Sequence, residues 1–252
     1  MQRLPHHLLL AASLALTSTV THAASSTIAL SHWKLTLPVD GQGRKRGDAA
    51  EIPPQALSGG YQSIWFHPTR DGSLLFWAPV DGATTSGSDY PRSELRELLD
   101  PNDDDVNWHV GGYARMTANC EVLGVPSSTG KIVIGQIHAF DGPPLVKLRY
   151  LYKRDERRGR LDALVHLTPD GDSTSYPLAT DLPLKQAFDY RIEVSGGALI
   201  MQAGDGAAVR LPIDASWNDY GFYFKAGVYV QANGRSALDG GRVEFHALQL
   251  AH

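Results

Sequence analysis

Apolar and polar residues alternate in short runs along this chain, and turn-forming sequences break the runs before any helical period is established. A period of two sends successive side chains to opposite faces of a strand, so the pattern calls for β-strands with one buried face. Trp33, Leu35 and Leu37 alternate ahead of Pro38, the run 74–80 follows the turn Asp71-Gly72, and the runs 131–138 and 145–152 flank Asp141-Gly142-Pro143-Pro144. Further alternation marks 112–123, 190–194, 223–231 and 242–250. In the last of these, Val243, Phe245 and Ala247 form one face and Arg242, Glu244 and His246 the other. The pattern slips at Leu248, which predicts a bulge or a strand end near Ala247. With 25 Gly and 15 Pro spread through the sequence and no internal repeat or linker, the chain reads as all-β. Two packed antiparallel sheets, a sandwich or jelly roll, are the way to bury so many half-apolar strands.

Residues 1–23 have the makeup of an export signal: Arg3, the apolar run 8–16, and Thr21 and Ala23 ahead of a cleavage point before Ala24. The apolar run is too short to span a bilayer. The expected product is a secreted or periplasmic chain, residues 24–252, forming one domain with no membrane association and no partner subunit. Cys120 is the sole cysteine, so no internal disulfide can form. Its alternation with Met116, Ala118 and Val122 fits a small buried residue. Lys and Arg number 23 against 27 Asp and Glu, an overall balance that does not favour nucleic acid. Any anionic ligand must be held by local charge. Basic residues do crowd 147–160, but Arg154, Arg157, Arg158 and Arg160 suit a solvated hairpin tip. Lys147 and Arg149 alternate with Val146, Leu148 and Tyr150 and therefore share one strand face.

Three segments carry groups suited to binding and proton transfer. In YFKAGVYVQ, 223–231, the positions Tyr223, Lys225, Gly227, Tyr229 and Gln231 share a face, with Gly227 a gap through which a ligand could approach the backbone. In QIH, Gln136 and His138 point one way and Ile137 the other. In RSELRE, 92–97, a strand would align Arg92, Glu94 and Arg96, with Glu94 orienting the two guanidinium groups. Local propensity favours a helix here instead, because Ser93 can cap ELRELL and Leu95, Leu98 and Leu99 fall at helical spacing.

RSELR, QIH and YFKAGVYVQ, together with WKLTLP at 33–38, resemble in sequence and order the motifs of polysaccharide lyase family seven, the alginate lyases. The resemblance spans nearly the whole mature chain. It implies a β-jelly roll of two antiparallel sheets with a concave cleft, makes RSELR a strand, and implies a substrate that is an anionic polysaccharide, alginate. Many members have Asn where this chain has Val230; alternation turns that side chain inward, away from any chemistry.

Alginate is a chain of uronic acids, and its cleavage by β-elimination requires removal of the ring proton alpha to the carboxylate. Arg92 and Gln136, with His138 assisting, are the candidates to neutralise that carboxylate. Tyr229 is the candidate acid for the leaving oxygen, and Lys225 and the arginines would favour its phenolate enough for a second role as base. The resemblance implies that His138 abstracts the proton from guluronate while Tyr229 serves both roles on mannuronate. It also links Ile137 with acceptance of guluronate. Glu94, Arg96, Lys147, Arg149, Tyr223, Lys225 and Gln231 complete the expected substrate-binding set. Loops at 41–47 and 172–177 are expected to close the cleft. No metal or other cofactor is required: His32, His67, His109, His166 and His246 show no paired ligand spacing, and no cysteine zinc motif occurs. Alternatives are a lyase for another polyuronate such as glucuronan and a non-catalytic polyuronate-binding module. A hydrolase is disfavoured because Glu94 and Glu97 would face opposite sides of a strand.

Overall fold

The structure, a computed structural model, describes residues 28–252. The expected export signal at 1–23 lies outside the described residues. Two antiparallel sheets pack face to face. The eight-stranded sheet runs in the order Ser173–Ala179, Arg158–His166, Pro144–Lys153, Lys131–Ala139, Phe222–Val230, Arg92–Glu97, Trp33–Thr36, Glu51–Ile52. The seven-stranded sheet runs Val209–Pro212, Ala198–Ala203, Ala187–Ser195, Ala114–Gly124, Gly240–Ala251, Leu74–Pro79, Phe66–Pro68. Sequence-distant strands lie side by side in both sheets, which is the jelly-roll arrangement.

The alternation read from the sequence becomes the core. Phe222, Phe224, Ala226, Val228 and Val230 all face inward and are fully buried, as Val230 was expected to be. From the opposite sheet Phe76 meets Phe245 edge-on at 5.4 Å and Phe66 at 5.1 Å between ring centroids. Each such ring contributes on the order of 1.5–3 kcal/mol through burial. Cys120 is buried on the inner face of Ala114–Gly124. The expected bulge is present, as the register of Gly240–Ala251 shifts between Phe245 and Ala247.

RSELRE is a strand, against its local helical propensity. Arg92–Glu97 pairs on one side with Trp33–Thr36 and on the other with Phe222–Val230. A helix there would leave the facing backbone groups of both neighbours unpaired, a penalty far larger than the fraction of a kcal/mol per residue that propensity offers. Ser93, Leu95 and Glu97 then point into the molecule and Arg92, Glu94 and Arg96 toward the outer face of the eight-stranded sheet.

Two expectations are corrected. Residues 173–177 are no lid loop but part of the edge strand Ser173–Ala179. Gly227 is not a gap for ligand: its φ is +142°, and a Cβ there would lie 2.5 Å from the Ser93 carbonyl oxygen and 2.8 Å from the Glu94 Cα. The glycine lets the neighbouring strand approach, beside a register shift between Ala226 and Tyr229.

Candidate active site

The three central strands of the eight-stranded sheet are Lys131–Ala139, Phe222–Val230 and Arg92–Glu97, and their outward positions converge on Glu94. Its Oε2 accepts from Arg92 Nη1 at 3.0 Å and lies 2.8 Å from Lys225 Nζ; its Oε1 accepts from Gln136 Nε2 at 2.5 Å. Cross-strand register puts them there, since Lys225 pairs with both Arg96 and Gln136. Glu94 has no exposed surface. Burial alone would raise its pKa, but Lys225 and Arg92 outweigh it and hold the carboxyl below its usual range. Glu94 therefore lies beneath the donors and aims them, instead of meeting a saccharide itself as expected.

Arg96 is not held by Glu94. It donates to the Asp104 carbonyl at 2.8 Å and to Asn107 Oδ1 at 3.3 Å, and its guanidinium stacks 4.2 Å from the centre of the Tyr223 ring. Tyr223 in turn stacks on His138, with ring centroids 5.6 Å apart and planes 10° from parallel. Burial pushes the Tyr223 hydroxyl up in pKa, with Arg96 opposing.

His138 Nδ1 lies 2.8 Å from the carbonyl oxygen of Ala139. A carbonyl can only accept, so Nδ1 carries the proton and Nε2 presents its lone pair. Burial, reinforced by the Lys225 cation, pushes the His138 pKa down to about 4. The ring is thus neutral at pH 7 and fitted to accept a proton. Burial likewise lowers Lys225 to about 8, against the opposing pull of Glu94.

Tyr229 projects from the same strand as Tyr223 and Lys225. The Arg92 guanidinium lies 3.9 Å from the centre of its ring, and its hydroxyl is 2.9 Å from Ser88 Oγ. Ser88 escaped the sequence reading because nothing in its neighbourhood alternates. A cavity of about 280 Å³ opens over these strands, lined among others by Arg92, Arg96, His138, Tyr223 and Lys225. Thr85 and Gly87 border it on one side, Phe140 and Asp141 on another. These, and not 41–47, are the loops at its rim; no residue of 41–47 lines it.

Lys147 and Arg149 share the outer face of Pro144–Lys153, as expected. Lys147 is the cross-strand neighbour of Gln136. Its pKa is lowered by burial and then by the Arg149 and Arg92 charges. Arg149 is tied to buried Asp162 at 2.9 Å. Gln231 lies just past the strand and bonds the Val230 carbonyl at 3.0 Å, so the structure does not bring it into the cluster. Glu94 and Glu97 do face opposite sides of the strand, so these two cannot act together as a hydrolase pair. One group of potential metal ligands does occur among the described residues, Asp71, Glu244 and His246, on the other sheet. Ligands placed two apart on a strand and joined by a distant turn escape a search for helical or cysteine metal motifs.

The sequence profile of the family described as alginate lyase matches residues 28–252. The chain belongs to that family. An alginate lyase from Klebsiella pneumoniae is 30% identical, with 96% of each chain covered. The crystal structure of an alginate lyase from Pseudomonas aeruginosa superposes with a TM-score of 0.80 at 37% identity, covering 88% of this chain and 99% of that one. A doubly substituted family-7 alginate lyase, A1-II′, solved in complex with the substrate GGMG, superposes at 0.77 with 35% identity over 88% and 93% of the two chains. Membership in the alginate lyase family agrees with the jelly-roll topology.

Proposed function

We propose that this chain cleaves alginate by β-elimination in the cleft of its eight-stranded sheet, as an exported single-domain enzyme acting as a monomer. The observation that carries the reading is the buried carboxylate of Glu94 gathering Arg92, Gln136 and Lys225 beneath a neutral His138. Such an array is built to receive a second carboxylate, that of the sugar, and to stabilise the negative charge that spreads into it as the adjacent carbon loses its proton.

Arg92 offers a planar fork and Gln136 its second amide hydrogen to the uronate. His138 Nε2 accepts the ring proton from a guluronate unit. Electrons from that C–H bond form the new double bond, the bond to the glycosidic oxygen breaks, and Tyr229 supplies the proton to the departing oxygen. On mannuronate the proton stands on the opposite ring face, and Tyr229 both removes and returns it. No step draws on a metal. Ser88 holds the phenol in place, and Lys147, Arg96 and Tyr223 grip flanking sugars. The Arg3-led apolar segment and the Thr21–Ala23 site support export.

The test is incubation of purified protein, with chelator present, on polymannuronate, polyguluronate and glucuronan, following the ultraviolet absorbance of an unsaturated uronate. Absorbance on the first two is expected. Reducing sugar without absorbance would mean hydrolysis, and absorbance on glucuronan alone would move the substrate class. Tyr229→Phe is expected to lower kcat by roughly 10²–10⁴, with polymer binding retained.

A further inference from the structure

The outer face of the seven-stranded sheet, on the side of the molecule opposite the cleft, carries a set of ligand groups that the elimination does not use. Glu244 and His246 stand two apart on Gly240–Ala251, and the turn preceding Leu74–Pro79 brings Asp71 to them. One potential ligand atom from each of the three lies within 4.8 Å of the others. A fourth group adjoins them: Glu121 Oε1 is 3.7 Å from His246 Nε2. That separation is too long for a hydrogen bond, so Glu121 adds negative charge beside the three without being tied to the imidazole.

Two independent features point to a cation. Glu121 and Glu244 are direct cross-strand partners, so their carboxylates repel across the ladder. No Lys or Arg forms a salt bridge with either among the described residues. In addition, Ser73 Oγ lies 2.9 Å from His246 Nδ1, which fixes the ring and leaves Nε2 free to ligate, the outer-shell arrangement typical of a metal-binding imidazole. The face is open to solvent, so an ion can reach it.

We propose that Asp71, Glu244 and His246 form a binding site for one divalent cation that clamps the 69–73 turn to Gly240–Ala251, with the Glu121 charge beside it. One imidazole among carboxylates favours a borderline transition ion over calcium or magnesium. Zinc is the probe. The role is structural, since the cluster and the cleft lie on opposite sheets.

The experiment is thermal unfolding of the full chain, first freed of metal by chelation and dialysis and then titrated with zinc chloride. At a hundredfold excess over Kd, Tm should rise by roughly 5–10 °C. Equilibrium dialysis should give one tight zinc per chain. Glu244→Gln and His246→Ala should abolish both the shift and the tight zinc; if either fails to fold, Asp71→Asn gives the same reading. No shift in the unaltered protein, or the same shift and stoichiometry in the variants, overturns the site.

Discussion

Glu94 and Glu97 lie three residues apart on one strand, and both are buried, yet the two sides of the sheet treat them in opposite ways. On the cleft side Glu94 meets two cations and an amide. On the core side Glu97 accepts from the Trp108 indole at 3.0 Å and the Phe224 backbone N–H at 2.9 Å, with His252 Nε2 at 2.6 Å. Fixed backbone and indole donors can satisfy a carboxylate where nothing has to be presented to a ligand. Long cationic side chains are needed where their remaining hydrogens must reach outward. Buried charge of the first kind serves the fold, and of the second kind serves the chemistry.

The sharpest way to break this contrast is to neutralise each carboxylate in turn. Glu94→Gln leaves Arg92 and Lys225 without their counter-charge and lets the donors turn away; kcat/KM on alginate is expected to fall by roughly 10²–10³. Glu97→Gln should keep kcat/KM within about threefold and instead lower Tm by roughly 3–9 °C, from a loss of about 1–3 kcal/mol. If steady-state kinetics and calorimetry gave the reverse pattern, the division between the two faces would be wrong.

A pH profile sharpens the same contrast. The base must be unprotonated, so kcat/KM should rise with pH through the His138 value of about 4, changing close to tenfold per unit below it. Above about 8 Lys225 loses its proton, Glu94 loses its ammonium partner, and activity should decline. The smallest expected effect is at the cleft's flank: Lys147→Ala should raise KM on polymer about three- to tenfold at low ionic strength, a difference that added salt erases.

Much of this site could be read from alternation, because a strand's geometry fixes which residues share a face. Tyr223, Lys225 and Tyr229 were grouped that way, as were Gln136 and His138, and the strands at 131–138 and 223–231 came within a residue or two. Arg92–Glu97 could not be read that way. Its Leu95, Leu98 and Leu99 imitate a helix, and only two flanking strands, remote in sequence, overrule them. The partners were beyond reach for the same reason. Gln136 finds Glu94 across 42 positions, and Ser88 finds Tyr229 across 141. Short edge strands such as Phe66–Pro68 and Val209–Pro212 are too brief for a period to register. The rim at Thr85, Gly87, Phe140 and Asp141 depends on how loops fold over a cleft that exists only after the sheets have formed.

The Glu94 cluster draws its members from three adjacent strands, and each member is aligned by the ladder alone. A strand that threads one residue out of step turns its inner side chains outward and removes its contribution altogether. Misthreaded molecules thus have no diminished form of activity to display. The specific activity of a refolded preparation counts the correctly threaded fraction, and its recovery over time reports when the last of the three strands has locked into place.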